Sequence, residues 1–137
     1  MEKVTGLGGI FFKTKNPENI KKWYSEHLGL SATEWGTIFE WRPSENPEKI
    51  ATTHWSPFEE DTNYFNPSTK DFMINFRVKN IEKLTELLRQ EGVTILDDIE
   101  SYSYGKFIHI LDPEGNKIEL WEPAENDSEN YVTHKTS

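Results

Sequence analysis

Cysteine is absent from the 137-residue chain. Its absence excludes disulfides, thiolate nucleophiles and cysteine-ligated zinc together. Basic charge is scarce: 15 Lys and Arg stand against 24 Asp and Glu, for a formal net charge of -9. A surface of that sign repels phosphate backbones, which argues against nucleic acid as a partner. Long hydrophobic runs are missing as well; none approaches the roughly 18 apolar residues of a membrane span, and residues 1–6 hold no apolar stretch of an export signal. A cytoplasmic protein without membrane contact is the expectation. Only 34% of the residues are hydrophobic, yet 13% are Phe, Trp or Tyr, five of them Trp. With aliphatic side chains this scarce, large flat ones must build the core and leave area for lining a cavity.

Two familiar catalytic signatures are also lacking. No serine stands in a Gly-X-Ser-X-Gly frame. Gly6-Leu7-Gly8-Gly9 leads into a strand pattern and lacks the Lys-Ser/Thr ending of a phosphate loop.

An internal repeat is the strongest positive feature. Ile10-Phe11-Phe12-Lys13-Thr14-Lys15-Asn16-Pro17-Glu18 aligns with Ile74-Asn75-Phe76-Arg77-Val78-Lys79-Asn80-Ile81-Glu82, each residue displaced by 64. Two copies of one supersecondary unit account for this better than chance. Each copy opens with an alternating segment, residues 7–14 or 72–78, that reads as a strand. Asn16 and Asn80 then stand where a helix N-cap belongs, and Pro17 takes the first helical position. Ile20, Trp23, Tyr24 and Leu28 form one apolar stripe and Leu84, Leu87 and Leu88 the other, with Gly29 and Gly92 as stops. On this reading Trp23 and Tyr24 go to the core.

Three further strand patterns follow each helix: residues 31–34, 37–42 and 50–55, then 94–99, 106–111 and 117–122. Asp112-Pro113-Glu114-Gly115-Asn116 is a dense turn signal that joins the last two as a hairpin. The order is βαβββ twice: module one 4–56, linker 57–70, module two 71–123, then a polar tail 124–137. One module cannot bury its own sheet, so two must share a cavity. The expected fold is α+β: two tandem βαβββ modules forming a cup-shaped, mixed, barrel-like sheet with helices outside.

These elements resemble the vicinal oxygen chelate superfamily, which holds glyoxalases, bleomycin resistance proteins and extradiol dioxygenases. The resemblance covers nearly all of residues 6–123. It is carried by Trp23-Tyr24 before Leu28-Gly29-Leu30, by Phe76-Arg77-Val78, and most specifically by Asp112-Pro113-Glu114-Gly115-Asn116-Lys117-Ile118-Glu119-Leu120. It implies a small-molecule ligand or substrate, a homodimer and, in catalytic members, one divalent metal held mostly by His and Glu. Glu119 matches the ligand position of the final strand. At the other three the chain offers Gly9, Met73, and Ala51 or Thr53. One carboxylate and a thioether fall short of the three or more protein ligands of a catalytic ion. The expectation is therefore no metal and no other cofactor, with a divalent metal disfavoured.

Among the four histidines, His27 lies on the first helix, His134 in the tail, and His54 one residue off the face of Ala51, Thr53 and Trp55. His109 differs. If Leu111 pairs with Lys117 across the turn, His109 faces Glu119. An imidazole beside a carboxylate is a general-base pair, so His109 and Glu119 are the candidate catalytic residues, with a register-fixing polar pair as the alternative. Shared strand faces extend the candidate pocket to Gly9, Phe11, Met73, Asn75 and Trp121, then to Phe39, Trp41 and Trp55. The expected function is capture of a small organic ligand in an aromatic-lined cup without the metal. The alternatives are a metal-dependent lyase, isomerase, transferase or dioxygenase, and a non-catalytic structural or regulatory subunit.

Overall fold

A computed structural model of the chain describes residues 3–124. Apart from Ala124, the expected tail 124–137 lies outside the described residues, and His134 with it. The elements are β1 (Val4–Thr14), α1 (Pro17–Leu28), β2 (Thr37–Trp41), β3 (Ala51–Glu59), β4 (Phe72–Val78), α2 (Ile81–Gln90), β5 (Glu100–Tyr102), β6 (Gly105–Leu111) and β7 (Lys117–Pro123). The strands form one open, mixed sheet in the order β2-β3-β1-β4-β7-β6-β5. This is the α+β cup that the repeat implied, with the sheet left unclosed. Among the described residues, no helix is long and apolar enough to cross a membrane.

Both helices begin as the caps require. The Asn16 side chain accepts from the Asn19 N–H at 3.0 Å and that of Asn80 from the Lys83 N–H at 3.3 Å. Removing such a cap costs about 1 kcal/mol. α1 ends at Gly29, which is left-handed at φ 74°. The two helices are seated unequally. Ile81 and Leu84 of α2 pack with Val78, Ile108 and Leu120 into the core cluster, backed by Phe76, Leu88 and Ile118. Each such side chain stabilises the fold by about 1.5–3 kcal/mol. α1 rests on the sheet through Tyr24, whose ring lies 4.7 Å from that of Trp55. Trp23 does not go to the core: it is 50% exposed, its ring against those of Tyr24 and His27 on the same helix.

The repeat becomes a spatial two-fold. β1 and β4 pair antiparallel with Ile10 opposite Ile74, the repeat-equivalent residues. On either side, Trp55 of β3 pairs in parallel with Ile10, and Ile118 of β7 with Ile74. The β1–β4 register slips between Leu7 and Gly9, a bulge that places Gly8. Two expected strands are not formed. Residues 31–34 give only a Thr33–Gly36 bridge, and residues 94–99 only an Ile95–Ile110 bridge. In the second copy the short strand falls instead at β5, while β3 runs to Glu59, into the segment read as linker.

The last hairpin has the register the turn implied: Leu111 pairs with Lys117 and His109 with Glu119. Asp112 fixes it by accepting from the N–H groups of Glu114 and Asn116, both at 2.9 Å. The side-chain amide of Asn116, together with these N–H groups, holds the Asp112 carboxyl below the ordinary value. One row of ladder partners now crosses the inner face: His54, Gly9, Asn75, Glu119 and His109 are successive neighbours from β3 to β6.

Candidate functional site

Glu119 stands between Asn75 and His109 in that row and is 3% exposed. Its Oε2 accepts from the Tyr64 hydroxyl and from His109 Nε2 at 2.7 Å. Its Oε1 accepts from Asn75 Nδ2 at 2.6 Å. His109 is held from its other side too, since Nδ1 lies 2.6 Å from Asp97 Oδ2 while its backbone N–H donates to Asp97 Oδ1 at 2.8 Å. An imidazole between two carboxylates needs a proton in each contact, which favours the imidazolium form of the ring. Burial alone would push His109 down, but the hydrogen bonds and charges of Glu119 and Asp97 outweigh it and raise the ring above the ordinary histidine value. Burial and then the Glu119 charge push the Tyr64 phenol far above the tyrosine range, so it remains a donor.

Over this floor opens a cavity of about 570 Å³, a ligand-sized volume. Eight aromatic side chains line it. Phe11, Phe58 and Tyr64 come from the β1–β3 half, with the Phe58 and Tyr64 rings stacked at 5.9 Å. Tyr102, Tyr104, Phe107 and Trp121 come from the β5–β7 half, where Tyr102 stacks on Tyr104 at 5.4 Å and Phe107 on Trp121 at 6.0 Å. Trp35 and Glu34 reach the cavity from the segment before β2. Lys21 ties that segment to α1, donating to the Glu34 carbonyl at 3.1 Å.

Of the residues singled out from sequence, Phe11, Asn75, His109, Glu119 and Trp121 line this cavity. The others fall elsewhere. Gly9 is covered by the Phe11 ring, which would stand 2.7 Å from a Cβ there, so the space the missing side chain leaves is already filled. Met73 is fully buried and outside the lining. Phe39 is 47% exposed and does not line the cavity. Trp41 lies over Gly6 and lines a separate cavity of about 270 Å³. Trp55 packs between Phe12 and Tyr24 on the helix side of the sheet. The inner face of β3 is thus the one carrying His54 and Ser56, opposite in parity to the face expected. His54 lines the cavity, its Nε2 3.1 Å from Thr52 Oγ1 and its ring edge-on to Trp121.

Several site residues escaped the sequence reading. Phe107 was within reach, since it lies two residues before His109 on the same strand. Tyr64 sits in the segment read as linker and Asp97 in one read as strand. Neither has a periodic signal that points it at Glu119.

A continuous sheet folded by an internal two-fold around a ligand-sized cavity defines a cup-type α+β fold. The Glyoxalase/Bleomycin resistance protein/Dioxygenase superfamily model matches residues 6–120, and the chain belongs to that superfamily. No curated protein matches the sequence. Among solved structures, a methylmalonyl-CoA epimerase from Streptomyces coelicolor, in complex with 2-nitronate-propionyl-CoA, superposes with a TM-score of 0.66 at 15% identity, covering 88% of this chain and 99% of its own. A superfamily member from Vibrio splendidus gives 0.54 at 16% identity, covering 85% and 98%. The Mn(II)-bound glyoxalase from Novosphingobium aromaticivorans gives 0.62 at 13% identity, covering 89% of this chain and 40% of its own. At these identities the likeness is one of fold.

The superfamily includes metal-bound members, so the fit of a divalent ion to these residues matters. With Ile10 opposite Ile74 and the flanking pairs Ile10–Trp55 and Ile74–Ile118, the two-fold relates Phe11 to Asn75 and Ser56 to Glu119. All four line the cavity floor. They supply a phenyl ring, an amide, a hydroxyl and a single carboxylate, and that carboxylate already accepts from three donors. Both ring nitrogens of His109 are taken by carboxylates. Among the described residues no group of three His, Asp or Glu is disposed to hold an ion. The donor set does not fit a divalent metal.

Proposed function

We propose that the protein binds a small, flat organic molecule in the aromatic cup and does so without a divalent metal. The observation that carries this reading is the pairing of eight aromatic side chains around one cavity with a floor whose only carboxylate already accepts from Tyr64, His109 and Asn75. Rings from both halves of the sheet offer flat faces for stacking, and the protonated cluster fixes the polar end of the ligand. The test is calorimetric titration with a panel of flat aromatic compounds, followed by Trp121→Ala. Binding that Trp121→Ala weakens supports the reading; a panel that leaves the cup empty refutes it. Melting temperature adds a second check, because a metal bound only by the folded protein raises it. Added Mn, Ni or Zn is expected to leave it unchanged, and a rise of several degrees with any of them would refute the metal-free reading.

One observation favours a second reading, proton transfer on the bound molecule. Glu119 Oε2 carries two donors, whereas Oε1 carries Asn75 and keeps a lone pair for a further proton. Glu119 would take that proton while His109, fixed by Asp97, stabilises the charge distribution. Exchange of an acidic C–H of a bound ligand with deuterated solvent measures it. The exchange is expected to vanish in Glu119→Gln; persistence would remove Glu119 from that role.

A further inference from the structure

We infer that the cup selects a flat organic cation, an aromatic ring system bearing one ammonium, amidinium or N-alkylated ring nitrogen. This rests on the reading that a flat molecule occupies the cup, and adds the charge it must carry.

The charged side chains that reach the cavity are Glu34, Glu100 and Glu119, and its lining contains neither lysine nor arginine. The His109 imidazolium does not offset them, because Asp97 and Glu119 share it and leave the trio with one net negative charge. Two cations approach the aromatic walls, Lys117 at 5.0 Å from the centre of the Tyr64 ring and Arg77 at 5.0 Å from that of Trp121. Neither reaches the lining, so the cavity meets the rings and not the ammonium or guanidinium.

The two outer carboxylates are held at the cavity without being neutralised. The Tyr102 hydroxyl donates to Glu100 Oε2 at 2.8 Å. Glu34 is fixed through its backbone carbonyl by Lys21, whose charge goes to Glu18 at 2.5 Å. Among the described residues neither Glu34 nor Glu100 takes part in an ion pair.

Aromatic faces and uncompensated carboxylates act in the same direction. Ring faces attract a desolvating cation, and carboxylates on low-dielectric walls focus a negative potential into the cleft. A ligand rich in phosphate or carboxylate would meet three carboxylates and neither lysine nor arginine. At about 570 Å³ the cavity accepts a system of about two or three fused rings.

The experiment compares three probes of one shape, N-methylquinolinium, methylnaphthalene and naphthoate, by isothermal titration calorimetry at low and high salt. The cation is expected to bind about tenfold more tightly than the neutral probe at low salt, with the anion weakest. The advantage should shrink as salt rises. The double variant Glu34→Gln/Glu100→Gln, altered only at exposed side chains, should bring the cation to within about twofold of the neutral probe measured on the same variant. Equal affinity for cation and neutral probe, or tightest binding of naphthoate, overturns the charge inference while the flat-ligand reading stands. If none of the three binds, the flat-ligand reading fails and the charge inference falls with it.

Discussion

Replacing Glu119 by Gln keeps the shape of the side chain and removes its charge. The consequence follows from the partners. Three groups donate to this carboxylate, Tyr64, His109 and Asn75. A glutamine has one oxygen to accept with, and its NH2 must face either Asn75 or the Tyr64–His109 pair. If its oxygen serves Tyr64 and His109, its NH2 opposes the Asn75 amide, which then has to flip. Stranding one member of a buried ion pair costs about 3–5 kcal/mol. Asp97 still holds His109 from the other side, which places the loss near the lower end, about 3 kcal/mol. In a domain of this size that lowers the melting temperature by roughly 10 °C. The sign of the pH dependence is fixed as well. The folded His109 sits above its unfolded value, so its contribution is fully present below about pH 6.5, the unfolded histidine value, and is lost as pH rises through the folded value. The gap between the native protein and Glu119→Gln should be widest from about pH 5 to 6.5, above the ordinary carboxylate range, and should narrow in base. Thermal melts across that window measure the gap, and NMR titration of the His109 ring should show its midpoint lowered in the variant. An unchanged midpoint would mean that Glu119 does not hold the imidazolium.

Gly8→Ala would put a methyl group 2.0 Å from Asn75 Oδ1 and 3.1 Å from the Trp121 ring; forcing Asn75 off Glu119 should cost about 2–4 kcal/mol in denaturant titrations, and most of that loss should be absent when Asn75→Ala is already in place. Gly9→Ala meets the edge of the Phe11 ring at 2.7 Å and the His54 carbonyl at 3.1 Å; a side-chain ring can give way more cheaply than the backbone, so the expected loss is about 1–2 kcal/mol by the same titration. Tyr64→Phe removes one donor from Glu119 on a side chain that is 39% exposed, and should cost about 1 kcal/mol in thermal melts together with a measurable loss of ligand affinity. Lys21→Met releases the carbonyls of Thr33 and Glu34; the amide protons of Thr33 and Gly36 should exchange faster with solvent, and those of β6 and β7 should not.

How much of the site was legible in the sequence depended on how locally each part is specified. The His109–Glu119 pair was legible because a five-residue turn sets its register, with Asp112 closing the turn on itself. The caps Asn16 and Asn80 were legible for the same reason. The inner face of β3 was not. Its register is set by parallel pairing with β1, some forty-five residues earlier in the chain, and no local turn fixes which parity of β3 faces inward. A one-residue difference exchanges His54 for Trp55 on the cup wall. Tyr64 and Asp97 were invisible for another reason: each reaches the cluster from irregular chain, 55 and 22 residues before Glu119, where no periodicity reports direction.

The two-fold gives the floor two pairs of equivalent positions, and the sequence uses them asymmetrically. The first copy supplies Phe11 and Ser56, the second Asn75 and Glu119. The acid cluster therefore belongs to one half of the floor: Asp97, His109 and Glu119 all come from the second copy, and only Tyr64 reaches over from the chain between them. A symmetric floor would hold a flat ligand in either of two orientations related by the two-fold. This one would not, because an end lying over Phe11 would meet a ring face while the other end would meet a carboxylate with a free lone pair. Duplication explains the shape of the cup. The divergence of the copies makes the two ends of its floor chemically different.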